Sequence, residues 1–114
     1  MECRADPLLT AVSQFKVYQN RRDTRGQIPF LLDVQSDLVE TGSRLVVPLV
    51  RDTAYGVRFT RLNPGFRIDS SVAVIAATSD LAAIDERQLG APVADLSPFR
   101  DEITAALDFL IFGY

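Results

Sequence analysis

Alternating apolar and polar residues indicate short strands along the first half of the chain. The stretch QFKVYQ, residues 14–19, has apolar side chains at every second position, which predicts a half-buried strand. FLLDVQ (30–35) and SRLVVPLV (43–50) predict two more, and the turn-like ETGS between them favours a hairpin. Proline cannot donate a hydrogen bond to a neighbouring strand, so we expect Pro48 at a sheet edge or a bulge.

The middle of the chain carries a weaker pattern. GVRFTRL (56–62) fits either a short strand or an irregular segment. FRIDSS (66–71) and VAVIAA (72–77) predict two further strands, the second apolar enough to be buried. Residues 78–90 have helical propensity, but a strand near residues 87–89 also fits.

The C-terminal segment predicts an amphipathic helix. Ser97 is a typical N-cap and Pro98 suits the first helical position. Asp101 and Glu102 lie in the first turns, where the helix dipole favours negative charge. One apolar stripe, which we expect to pack on the sheet, follows at spacings of four, four and three residues: Phe99, Ile103, Leu107 and Leu110.

The last seven residues, DFLIFGY, are unusually aromatic. At about 100° per residue, Asp108 and Phe112 fall on the side of the helix opposite the stripe. Gly113 is a residue type that commonly ends a helix in the left-handed conformation. Phe112 and Tyr114 therefore either cover their own domain or a dimer interface, or present an aromatic tip to another protein.

Composition narrows the function classes. The 114 residues suit one domain, and a net charge of −3 argues against binding nucleic acid by bulk electrostatics. A single cysteine excludes an internal disulfide and a multi-cysteine metal site. With no histidine, the usual general acid–base residue is absent, and we expect neither a cofactor nor a metal. Arginine supplies eleven of the twelve positive charges, and several cluster in NRRDTRG.

Neither a secretory signal pattern nor a long apolar run is present. The N-terminal MECRADPLLTAVS has acidic residues where a signal peptide needs basic ones. No stretch approaches the 18 or more apolar residues needed to cross a bilayer. The expected location is the cytoplasm.

Several blocks together resemble the CcdB toxins of plasmid and chromosomal toxin–antitoxin pairs. They are QFKVY, DVQSDLVET with the following RLVVPL, PVADLS, and the helix that ends in an aromatic residue and glycine. The resemblance begins at Gln14, so the expected organisation is an N-terminal extension, residues 1–13, followed by one toxin domain, residues 14–114.

The resemblance implies a fold and a function. CcdB-like proteins are homodimers built on a mainly β, SH3-like barrel of antiparallel strands with a C-terminal helix. They are not enzymes; they bind the DNA gyrase A subunit and trap the cleaved DNA complex. A CcdA-like antitoxin neutralises the toxin, and the pair represses its own operon, with operator DNA contacted through the antitoxin.

The resemblance also assigns site residues. The family's gyrase-binding tip is typically Trp-Gly-Ile, and the matching positions are Phe112, Gly113 and Tyr114. Supporting gyrase contacts fall on Asp108 and on the apolar pair Leu38 and Val39. Because antitoxin tails are often acidic, Arg22 and Arg25 are the predicted antitoxin contacts.

Three alternatives stay open. Ribonuclease toxins of the MazF and Kid type share the barrel and would use Arg22 or Arg25 with Asp23 or Asp33. Asp33 and Asp37 would lie on one face of a strand as paired carboxylates, or would satisfy backbone groups at the strand's end. A third alternative is a weakened homologue that binds an antitoxin without harming gyrase.

Overall fold

The protein is built around one curled antiparallel sheet. The computed structural model describes residues 13–56 and 58–114, so the predicted N-terminal extension lies almost entirely outside the described residues. The order in the sheet is β4-β5-β3-β2-β1-β7, with β6 also paired to β3. The strands are β1 Lys16–Asn20, β2 Phe30–Asp33, β3 Ser43–Arg51, β4 Gly65–Ile68, β5 Val72–Ala76, β6 Ala82–Asp85 and β7 Leu89–Asp95.

A single helix, α1 (Arg100–Phe112), covers the concave face of this half-barrel. Ile103 is buried there as predicted, together with Ala106, which the stripe did not include. Leu107 and Leu110 are half-buried, and the more exposed Phe99 meets Phe66 edge-to-face. The main core contains apolar residues from five strands and the helix, including Val17, Leu32, Val47, Leu49, Phe66, Ile68, Val74 and Ile103. The prediction of a mainly β fold with a C-terminal helix is therefore confirmed.

The prediction for Pro48 is wrong in detail. β3 pairs with β2 along one side; along the other it pairs with β6 up to Val46 and with β5 from Leu49 onward. Pro48 lies between these two stretches of pairing, opposite Ala77, whose N–H donates to the Pro48 carbonyl at 2.9 Å. The Ala77 carbonyl, which an N–H at position 48 would bind, instead accepts the N–H of Asp80 at 2.9 Å, so the missing donor leaves no group unsatisfied. The proline thus sits inside a central strand, neither at an edge nor at a bulge.

The structure resolves both ambiguous middle segments. The described part of residues 56–62 contains no strand. Residues 78–90 form two short 3-10 turns around β6, and β7 begins at Leu89. The local helical propensity is overridden because β6 pairs with the first half of β3.

The predicted capping of the helix is also wrong. Ser97 and Pro98 belong to a 3-10 turn that precedes α1, and no side chain caps the α-helix at Phe99. The N–H of Ser97 instead donates to the carboxylate of Asp95 at 2.9 Å. Asp95, the last residue of β7, thereby closes the turn that redirects the chain into the helix.

A second, smaller buried cluster lies on the other face of the sheet. It contains Tyr18, Leu31, Val46 and Leu89. By strand alternation Asp33 and Arg44 share this face, and both are buried, with exposures of 0% and 2%. Arg44 donates from Nε and Nη2 to the two carboxylate oxygens of Asp33, at 2.8 and 3.1 Å. This forked ion pair is the central polar contact of the fold.

The ion pair extends into a network that orders the loop after β2. Arg44 Nη2 also donates to the carbonyl of Gln35 at 3.0 Å and lies 3.4 Å from Asp37 Oδ1. Asp37 in turn accepts the N–H of Gln14 at 2.9 Å, and Asp33 accepts the N–H of Gln35 at 3.0 Å. Asp33 and Asp37 therefore satisfy backbone groups at the strand's end, which is the structural alternative predicted for this pair.

Burial and pairing act in opposite directions on these groups. Burial raises the pKa of Asp33, and the hydrogen bond from Arg44 limits that rise. For Arg44, burial opposes the charged form, yet the hydrogen bond and charge of Asp33 raise its pKa. Because each group offsets the desolvation cost of the other, removing one leaves an uncompensated buried charge.

We predict that Asp33→Ala lowers the free energy of unfolding by about 3–5 kcal/mol, the usual cost of leaving a buried charge unpaired. The double variant Asp33→Leu/Arg44→Met removes both charges and should lose clearly less. Urea unfolding followed by circular dichroism measures both changes. Arg87→Ala is the control, because it breaks the exposed Asp85–Arg87 ion pair without removing a backbone bond, and it should have no measurable effect. A single-variant loss no larger than that of Arg87→Ala would contradict this prediction.

Tyr18 predicts a loss of stability at alkaline pH. Burial raises the pKa of its phenol above the usual 10.0, so above about pH 10 the unfolded chain releases a proton that the folded chain retains. Stability should therefore fall as pH rises through this range. In Tyr18→Phe, the free energy of unfolding should fall less steeply between about pH 8 and pH 11. The difference in slope from the unaltered protein should correspond to about one proton. Equal slopes in both proteins would show that Tyr18 ionises as easily in the folded state.

Candidate functional site

The end of α1 presents two aromatic rings to solvent. Phe112 is 62% exposed and Tyr114 is 76% exposed. Their ring centroids lie 5.8 Å apart with an interplanar angle of 30°. Between them, Gly113 has φ of 79°, and its N–H donates to the carbonyl of Phe109 at 3.0 Å. The left-handed stop predicted at Gly113 is present, and it places the two rings side by side.

Other residues of the last helical turns are exposed beside the two rings. Asp108 is one of them, as its helical position predicts. Ile111 is also exposed, at 64%, and the sequence reasoning missed it. Its position next to Phe112, off the stripe that packs on the sheet, was the available signal. Phe109 is half-buried, with the Arg61 guanidinium 4.5 Å from its ring centroid. This cation–π contact ties the last turn of the helix to the segment before β4.

Leu38 and Val39 lie elsewhere, on the loop between β2 and β3. Leu38 is 94% exposed, and Val39 is exposed to a lesser degree. Hydrogen bonds within the loop include two at Val39. Gln35 Nε2 donates to the carbonyl of Val39 at 2.8 Å, and the N–H of Val39 donates to the carbonyl of Ser36 at 3.1 Å. No hydrogen bond or ion pair among residues 13–56 and 58–114 joins this loop to the helix tip. The structure does not bring the two parts of the predicted site into contact.

Arg22 directly precedes a 3-10 turn, Asp23–Gly26, after β1, and Arg25 lies within that turn. Arg25 Nη1 donates to the carbonyl of Arg22 at 3.1 Å, and the N–H of Arg22 donates to the side chain of buried Asn20 at 2.9 Å. A surface depression of about 430 Å³ lies beside the turn, lined by Arg21, Arg22, Asp23, Thr24 and Gln88. Arg21, which the sequence reasoning did not select, replaces Arg25 in this lining.

The ribonuclease alternative that used Asp33 is wrong. The Asp33 carboxylate is fully buried and bound by Arg44, so it cannot act with Arg22 or Arg25 on a substrate. Arg44 was the missed partner. The signal was its place in SRLVVPLV, two residues before Val46, on a face that is otherwise buried.

The sequence pattern of the CcdB protein family matches residues 14–113. The chain belongs to the CcdB family. It is thus a member of a family of toxins from toxin–antitoxin systems. Among solved structures, it is similar to an endoribonuclease in complex with its cognate antitoxin from a mycobacterial species. That similarity has a TM-score of 0.68 and 16% identity, and covers 89% of this chain and 95% of the other. At this identity the likeness concerns the fold alone.

No helix of the described residues is long and apolar enough to cross a membrane. Across the same part of the chain, no group of three or more cysteine, aspartate or glutamate residues is placed to hold a metal ion.

We predict that Gly113→Ala disturbs the tip without unfolding the domain. A Cβ at Gly113 would meet no atom within 4 Å, so the cost comes only from the left-handed backbone, about 1–2 kcal/mol. The last residues should reorganise, and nuclear Overhauser contacts between the Phe112 and Tyr114 rings should weaken. Gly26→Ala is the matched control, since that site is equally open and has no positive φ. Unchanged ring contacts would contradict a role for Gly113 in aiming Tyr114.

Proposed function

We propose that this CcdB-family protein is a gyrase poison and not an enzyme. In this proposal a homodimer binds the gyrase A subunit through Phe112, Gly113 and Tyr114 and traps the gyrase–DNA cleavage complex, which arrests growth. Asp108, Leu38 and Val39 add supporting contacts. The protein acts in the cytoplasm, where a CcdA-like antitoxin neutralises it and the pair together represses its operon.

The observation that carries the proposal is the exposure of two adjacent rings on the end of a helix. Phe112 and Tyr114 are largely solvent-accessible, although rings of this size usually bury most of their area. The helix is held to the sheet by Ile103 and Ala106, so the rings stand on a rigid base. A preorganised aromatic anchor loses little conformational entropy on binding, which is typical of interface hot spots.

The tip chemistry favours an arginine-bearing partner surface. An aromatic face attracts a guanidinium, although phenylalanine does so less strongly than tryptophan. The Tyr114 hydroxyl adds a group that needs a hydrogen-bond partner once it is buried. We therefore expect the complex to rely on the buried area of both rings and on a polar partner for Tyr114.

The proposed antitoxin contact is the arginine turn after β1. Arg22 and Arg25 are exposed, and Arg21 and Arg22 line the adjoining depression. Carboxylates of an acidic antitoxin tail would form charge-assisted hydrogen bonds with these guanidinium groups. This contact lies on a different element from the aromatic tip, so the two predicted interactions can be tested separately.

The test is calorimetric titration of the gyrase A dimerisation domain with the purified protein. Phe112→Ala should weaken binding about 30-fold or more, since truncating a hot-spot aromatic costs roughly 2 kcal/mol. The same change should leave the melting temperature nearly unaltered, because the ring is exposed. A variant that lacks residues 112–114 should not bind.

Phe59→Ala is the matched control. Phe59 has the same residue type and the same 62% exposure as Phe112, but lies in the segment between β3 and β4. Its replacement should leave gyrase binding intact. If no gyrase binds and Phe112→Ala melts much earlier, the ring serves the fold, and the gyrase proposal fails. Cleavage of RNA by the purified protein would instead favour the ribonuclease alternative.

A further inference from the structure

Three connected depressions form a groove along β4, at the end of the sheet. Their volumes are about 380, 310 and 340 Å³. The first and second share Arg58 and Gly65, and the second and third share Arg67 and Ala73. The first lies beside α1 at the start of β4, and the third lies at the turn from β4 into β5, with Ser71 in its lining. The groove thus follows the strand from its first residue to its end.

The edge of β4 offers unpaired backbone groups to this groove. The N–H of Ala76 donates to the carbonyl of Pro64 at 2.9 Å, which makes this a hydrogen-bonded pair. Because such pairs alternate along an antiparallel ladder, Phe66 and Ile68 also direct their backbone groups toward β5. Gly65 and Arg67 therefore direct theirs away from β5, and no other strand of the described residues pairs with them. Together with the buried Phe66, these are the β4 residues that line the groove.

The groove is positively charged within an acidic protein. Four exposed arginines line it, against the two carboxylates of Asp52 and Glu102. No ion pair within residues 13–56 and 58–114 involves any of the four. The chain as a whole has a net charge of −3. The four residues are Arg51, Arg58, Arg61 and Arg67.

The side chains of the groove lining favour a polypeptide over a nucleic acid. The Arg58 guanidinium lies beside Gly65, with Nη2 3.0 Å from where a Cβ on that glycine would be. Phe66, the one ring in the lining, is buried, so the groove has no exposed face on which a base could stack. A nucleic acid would lack the aromatic platform that usually supports single-strand binding. A polypeptide can use both the open backbone edge and the arginines.

We propose that this groove binds an acidic, extended polypeptide segment, which adds as a strand to the free edge of β4. Main-chain bonds to Gly65 and Arg67 supply the pairing, as in other cases of strand addition. Arg58, Arg61 and Arg67 bind the carboxylates along the segment. A single charged residue on an edge strand is explained as protection against aggregation, but four arginines from three different segments exceed that need. The proposal depends on the groove alone and not on gyrase binding.

The test is a titration of the full ¹⁵N-labelled chain with a capped octapeptide of alternating Glu and Val, followed by NMR. Saturable shifts should centre on the amides of Gly65 and Arg67, which should also become protected from hydrogen exchange. Arg67→Gln should raise the Kd several-fold, and Arg58→Gln/Arg67→Gln by about tenfold or more, because two charge-assisted contacts are lost. Arg87→Gln/Arg100→Gln, with the same change in net charge at two exposed arginines outside the groove, should bind like the unaltered protein.

Arg67→Pro distinguishes the contribution of the backbone N–H to binding from that of the side-chain charge. It removes the outward N–H without disturbing the bonds to β5, so it should bind more weakly than Arg67→Gln if strand addition occurs. The proposal is overturned if the Gly65 and Arg67 amides do not respond, or if the Arg87/Arg100 control loses as much affinity as the groove variant. Tighter binding of an oligouridylate than of the peptide, at the same residues, would assign the groove to nucleic acid. Equal affinity for a Lys/Val octapeptide would also refute it.

Discussion

The fold depends on one buried charge pair, Asp33 with Arg44. Burying either group alone would be prohibitive, so each is tolerated only because the other meets it in a forked, two-bond geometry. The remaining donors and acceptors reach Gln35 and Asp37, and through Asp37 the backbone of Gln14. This network joins the end of β2, the start of β3 and the segment before β1. It fixes the register of the hairpin and the course of the loop that exposes Leu38.

The curl of the sheet follows from the exchange of partners along β3. A nine-residue strand pairs with β6 over its first part and with β5 over its last. Pro48 fits at the exchange point because the carbonyl opposite it, on Ala77, is bound by the N–H of Asp80 instead. Since β5 and β6 share one side of β3, the sheet ends at β4 and leaves that edge open beside the helix. The same arrangement creates the concave face that α1 fills and the groove that follows β4.

Two kinds of surface result, with different physical characters. The helix end is apolar, with two adjacent and largely exposed rings. The β4 edge is polar and cationic, with backbone groups that no other strand of the described residues pairs with. The two surfaces lie on different elements. Arg61 links the surfaces, because its guanidinium lies over Phe109 and its side chain also lines the groove.

Local sequence determined the strands with clear alternation, the apolar stripe of the helix and the left-handed stop at Gly113, because periodicity and glycine conformation are properties of neighbouring residues. The sequence blocks that resemble the CcdB toxins placed the aromatic tip at the end of the helix, and these blocks also consist of neighbouring residues. Only the tertiary structure decided what depends on distant residues. Asp33 cannot act in catalysis because it is buried and bound by Arg44. Ser97 does not cap the helix because it lies in the preceding 3-10 turn. Segment 78–90 contains a strand because β3 provides a pairing partner. The arginine groove assembles side chains separated by up to 16 positions, which no local pattern brings together.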